Sequence, residues 1–179
     1  DRTISDVLNE QKYTVDYYQR EYSWGQKHTE QLVSDLTTSF LNEYTHGDTR
    51  ADGENYNNYY MGPFVVSVKD ARKSIIDGQQ RLTTLFILLN VLKYEFKYTS
   101  YTEDINLHFE SRKKSTIALG KVSLGKVKNI SQETEHRIFD AYETITKVLN
   151  NKDIHVKRFK EYLLENVIVL RTSVPQDTD

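Results

Sequence analysis

A chain of 179 residues, 37% hydrophobic and 28% charged, is long enough for one sizeable core and has an ordinary globular composition with a polar lean. A net charge of -2 excludes a uniformly basic nucleic-acid surface, so any such contact must come from a local patch. The lack of cysteine excludes disulfides and thiolate metal sites and fits a reducing, cytoplasmic setting. No apolar run reaches the roughly 18 residues of a membrane span. The longest candidate, Leu82–Leu92, is interrupted by Thr83, Thr84 and Asn90, so no membrane partner is expected. No signal peptide opens the chain. It begins at Asp1 and stops in the polar tail SVPQDTD, as an excised piece of a longer protein would.

In chain order, TISDVLNE predicts a short helix capped by Thr3 or Ser5. KYTVDYY alternates and is rich in Tyr and Val, which predicts a strand; QREYSWGQ reads as a loop. Leu32, Val33, Leu36, Phe40 and Tyr44 recur at helical spacing and predict an amphipathic helix over 28–44. THGDTRADGENYNN is a polar loop with its own Asp52-Gly53 turn signal. YYMGPFVVSVKD and RKSIID predict a β-hairpin turning near Asp70–Arg72, followed by a helix from after Gln79 to about Lys97. Residues 111–129 carry six basic residues and no acid. ETEHRIFDAYETITKVL and VKRFKEYLLENV read as two helices, and VIVLRTSV as a closing strand. Without a regular βαβ alternation, the expected class is α+β, a single domain over residues 1–179 with no dividing linker.

The stretch IIDGQQRLTTL places a turn, two amides and a guanidinium where a strand enters an apolar helix. Helix N-termini expose N–H groups and the positive end of the dipole. Gly78 would let a ligand approach the backbone of Gln79, Gln80 and Arg81, with Thr83 and Thr84 one turn on. The guanidinium of Arg81 suits phosphate oxygens. The alternative is purely local: Asp77 as N-cap and Gln80 three residues on form a capping-box pair. Asp77 would repel a bare phosphate unless it holds a magnesium ion or turns to the backbone. In YYQREYSWGQ, an extended chain puts Tyr18, Arg20, Tyr22 and Trp24 on one side, either to stack on a base and grip a phosphodiester or to pin a loop to the core. The basic face that includes Arg112, Lys113 and Lys114 is either solvated or touches nucleic acid. The five histidines lack metal-ligand spacing. No GxxxxGK[ST] loop and no GxSxG elbow is present.

YYQREYSW, YYMGPFVV and IIDGQQRLTTL, in that order and spacing, resemble the N-terminal domain of the GmrSD-type, modification-dependent (type IV) restriction endonucleases. The likeness covers residues 3–97 well, is loose over 98–165, and returns in YLLENVIVLRTSV. It implies a ParB/sulfiredoxin-like fold with a small mixed sheet and packed helices. It also implies a DGQQR motif that binds and hydrolyses a nucleoside triphosphate with Mg2+, in phage-defence proteins that sense modified DNA and carry the nuclease in another domain. By position, Asp77 (catalytic, and a magnesium ligand), Gly78, Gln79, Gln80 (catalytic) and Arg81 (catalytic) form the phosphate loop, with Thr83 and Thr84 behind. Tyr18, Gln19, Arg20, Tyr22 and Trp24 form the other wall. Gln80 or Glu21 would orient water. Two departures stand out: Asp16-Tyr17 replaces a usual proline, and a family segment F-x-x-x-N-x-x-G does not follow the last strand. The runner-up function is a DNA-contacting sensor without turnover, through Tyr22, Trp24, Arg112, Lys113 and Lys114. A structural or partner-binding domain is a third reading.

Overall fold

The computed structural model describes residues 2–10, 13–15, 22–69, 72–96, 107–109, 122 and 133–175. In chain order the elements are β1 (Arg2–Thr3), α1 (Ile4–Glu10), β2 (Tyr13–Val15), α2 (Gln26–Glu43), a 3-10 turn (Ala51–Asn55), β3 (Tyr59–Lys69) and β4 (Arg72–Asp77). Then follow α3 (Gln79–Tyr94), β5 (Leu107–Phe109), α4 (Glu133–Asn150), α5 (Val156–Glu165) and β6 (Val167–Pro175). The class is α+β, as expected.

Six strands make one mixed sheet in the order β1-β6-β3-β4-β2-β5. The expected hairpin is present, with β3 and β4 antiparallel and Lys69 opposite Arg72. β6 returns from the far end of the chain to lie parallel to β3. β2 lies parallel to both β4 and β5. The β3–β6 register shifts between Tyr60 and Gly62, a bulge at which Gly62 adopts φ 101°.

α1 starts on a reciprocal cap: the Asp6 N–H donates to Thr3 Oγ1 at 3.1 Å and the Thr3 N–H to Asp6 Oδ2 at 3.4 Å. α3 is the centre of the molecule. Every residue from Leu82 to Leu92 is buried, so this helix is covered on all sides rather than on one stripe. Of its buried polar residues, Asn90 donates to the Phe86 carbonyl and Thr84 to the Gln80 carbonyl, each one turn back. α2 packs on α5 through Phe40, whose ring lies 5.4 Å from Phe159 and 5.5 Å from Tyr162.

The polar 45–55 loop is tied down rather than loose. Arg158 Nε donates to the Asp48 carbonyl at 3.0 Å, Asn166 Nδ2 to the Gly53 carbonyl at 3.1 Å, and Arg50 pairs with Glu165. Asp48 accepts from the Tyr56 hydroxyl, a bond that lowers the carboxyl pKa below its usual value.

Because α3 is buried on every side, truncation inside it leaves a cavity that neighbours fill only partly. Leu88→Ala should cost roughly 2–5 kcal/mol, read as a lower urea midpoint with an unchanged slope.

Candidate functional site

The start of α3 is held against β3 by two glycines and an arginine. Gly78, the N-cap, sits at φ 83° and ψ 10°, in the left-handed region. A Cβ there would lie 2.7 Å from Phe64 Cβ and 3.2 Å from the Pro63 carbonyl oxygen, so only glycine fits both the conformation and the space. Arg81 reaches back over the bulge: Nη1 donates to the Met61 carbonyl at 2.7 Å and Nη2 to the Pro63 carbonyl at 2.6 Å. These two carbonyls flank Gly62, where any side chain would run into the Arg81 guanidinium. The bulge takes Met61 out of the β3–β6 register, and the guanidinium supplies donors to the Met61 and Pro63 carbonyls.

Arg81 has no carboxylate partner among the described residues. Carbonyl contacts orient a guanidinium without neutralising it.

Gly78, rather than Asp77, takes the N-cap position, and Gln80 Oε1 accepts from the Ser23 N–H at 2.9 Å and the Trp24 N–H at 3.3 Å. Gln80 therefore fastens the segment before α2 to α3. Thr84 Oγ1 donates to the Gln80 carbonyl at 2.8 Å and receives the Tyr22 hydroxyl at 2.9 Å. Tyr22 is 1% exposed, and burial pushes its pKa up, so the hydroxyl stays a donor.

This burial corrects several expectations. Tyr22 is a core residue under α3 and offers no face to DNA. The Thr83, Thr84 and Gln79 side chains are likewise buried and do not line an open ligand surface. Trp24 is half-buried, stacked on His28 with centroids 5.5 Å apart. Asp77 is the last residue of β4, opposite Val65 and directly before Gly78; its side chain is outside the described set. Tyr18, Gln19, Arg20, Glu21, Arg112, Lys113 and Lys114 also lie outside the described residues.

Two features escaped the sequence reading. The first is the Gly62-Pro63 pair inside β3, and glycine and proline within a strand are a usable sign of a bulge. The second is Arg171, the lone charge in VIVLRTSV. It pairs in register with Phe64, the residue Gly78 packs against. Strand alternation puts it on the same side as buried Val167 and Val169. Its Nε is buried and has no hydrogen-bond partner among the described residues. A buried donor without an acceptor is the kind of group an anionic ligand satisfies.

Among the described residues no three His, Asp or Glu side chains cluster as a metal site. A magnesium ion carried by nucleotide phosphates needs only one or two protein carboxylates.

A family model described as GmrSD restriction endonuclease, N-terminal domain, matches residues 4–179. The chain belongs to that family. The match extends through the second half, where the sequence likeness was loose, and includes α4, α5 and β6. None of the curated proteins compared with the chain matches it. No described helix of this GmrSD-type domain is long and apolar enough to cross a membrane.

Gly78→Ala should destabilise the domain by roughly 2 kcal/mol or more, from the left-handed penalty plus the collision with Phe64. Thermal unfolding would show it as a lowered Tm. An unchanged Tm would mean that the turn can relax away from β3.

Proposed function

We propose that this GmrSD-type domain binds a nucleoside triphosphate with magnesium at the start of α3. Hydrolysis there would serve a DNA-restricting, phage-defence protein whose nuclease is another domain. The observation that carries the reading is the Arg81 guanidinium, fixed by two carbonyls and unpaired with any described carboxylate. A cation held in place beforehand and left with its charge is suited to phosphate oxygens, because little reorganisation is needed when the anion arrives.

Three further features support the reading. The start of α3 presents the positive end of a helix dipole. Arg171, one strand over, brings a second guanidinium with an orphaned Nε. Asp77 would hold the magnesium ion, which would neutralise charge on the phosphates. Gln80 is given a positioning role in place of the water-orienting one, because its carbonyl oxygen is engaged by Ser23 and Trp24. Orientation of the water then falls to Glu21. The ParB-like relation of the fold is part of the same proposal.

Calorimetric titration with each of the four ribonucleoside triphosphates plus magnesium tests this reading. Arg171→Ala removes no side-chain hydrogen bond found among the described residues, so stability should change by only about 1 kcal/mol while triphosphate binding weakens at least about tenfold. Arg81→Lys keeps the charge but loses the fork. It should lower both stability, by about 1–2 kcal/mol, and affinity. Wild-type affinity in both variants would rule out this site.

A further inference from the structure

We infer that the cleft between the start of α2 and the facing side of α4 is a binding site for a single nucleobase. The cleft encloses about 430 Å³. Trp24 forms one wall, held in orientation by its stack on His28, and Ala141 and Val148 supply apolar surface. Arg137, Asp140, Ala141, Thr144 and Val148 fall at three- and four-residue spacing, so they share one face of α4, and Asn151 follows directly after its last residue.

The polar groups in the cleft divide into committed and available. Glu30 is bonded by Gln26 Nε2 at 2.7 Å, and Glu143 pairs with Lys147 at 3.2 Å. Arg137 gives one N–H, from Nη1, to the Ser23 carbonyl at 3.1 Å. Asp140, Thr144 and Asn151 have no side-chain hydrogen bond or ion pair among the described residues. What remains is an acceptor carboxylate, a hydroxyl, an amide and the rest of a guanidinium fork, beside an aromatic wall.

That set does not suit a phosphate. Glu30, Asp140 and Glu143 would repel one, and Lys147 is already paired. A neutral planar ring with donors and acceptors on its edge fits. The ring packs against the indole, and the edge meets Asp140, Thr144, Asn151 and Arg137. Because an ionised carboxylate only accepts, Asp140 favours guanine, whose N1–H and amino group present two adjacent donors, over uracil and thymine, which present a single ring N–H. The base can come from a free nucleoside or nucleotide, or from a DNA strand. The ring chemistry is the same in both cases. The inference does not depend on the phosphate site at α3.

Trp24 is the only tryptophan in the chain, so its emission reports on the cleft. The experiment is a fluorescence titration of the whole chain with adenosine, guanosine, cytidine and uridine, and with short single-stranded DNA. Nucleosides carry no phosphate, so failure at the α3 site cannot mask or mimic the result. A saturable change, strongest with guanosine and clearly weaker with uridine, is expected. Asp140→Asn should weaken that binding about tenfold and narrow the preference. Thr144→Phe, which fills the cleft, should abolish it, with circular dichroism confirming the fold of both variants. Saturation by the oligonucleotide alone would support the base reading with a strand as the source. Saturation by nucleosides alone would support it with a small molecule as the source. No saturable change with any ligand, or wild-type affinity in folded Asp140→Asn and Thr144→Phe, overturns the inference.

Discussion

The arrangement of the site depends on one contact, the Arg81 fork on the Met61 and Pro63 carbonyls. β3 joins two halves of the sheet, pairing with β6 on one side and β4 on the other. Its bulge lies where α3 sets off across the sheet. A bulge leaves backbone acceptors without ladder donors, and a flexible side chain would satisfy them loosely. A planar guanidinium satisfies two at once in a fixed orientation. The two glycines make the approach possible: Gly62 clears the room for the guanidinium, and Gly78 lets the helix start press on Phe64. Removing any of the three would move the first turn of α3 relative to the strand.

That turn is also where a distant segment is fixed. Gln80 holds the backbone of Ser23 and Trp24, and Thr84 holds the Tyr22 hydroxyl. The rest of α3 is buried along its length, so the motif stands on a rigid support. Local packing and ligand binding are therefore compatible roles for one motif. The amide and hydroxyl side chains turn inward to fasten segments. The guanidinium is fastened as well, and both of its acceptors among the described residues are neutral. The division follows from chemistry: a neutral amide is satisfied by a hydrogen bond, whereas a cation is satisfied only by an opposite charge or by water.

The elements with strong periodicity were legible. The 28–44 spacing becomes α2, the hairpin is β3–β4, and the two late helices and the closing strand are present. The central helix ends at Tyr94 rather than about Lys97. The order of the sheet was not legible. β6 pairs with β3 from more than a hundred residues away, and such a pairing leaves no local pattern. β1 and β5, of two and three residues, are too short to show alternation. At the site, Gly78 and Arg81 were visible because a turn glycine and a charge before an apolar run are anomalous. The partners of Gln80 were not, since they lie 57 and 56 positions away. Tyr22 and Trp24 were expected on one side because an extended chain alternates. No strand is assigned to residues 22–25, and Tyr22 goes under α3 while Trp24 stays at the surface of the α2–α4 cleft.

The peptide at Ser23 joins these regions. Its N–H is held by Gln80 on α3, and its carbonyl by Arg137 on α4. A single exposed hydrogen bond contributes only about 1 kcal/mol, so neither contact alone would fix a loop. Acting on opposite ends of one residue, they register the segment on two helices at once, and each limits the motion that would break the other. The Trp24 ring follows next in sequence and is further restrained by His28. The wall of the cleft is thereby set by the same turn that positions Arg81. Its shape need not be assembled when a ligand arrives, because contacts to the buried helix α3 have already fixed it.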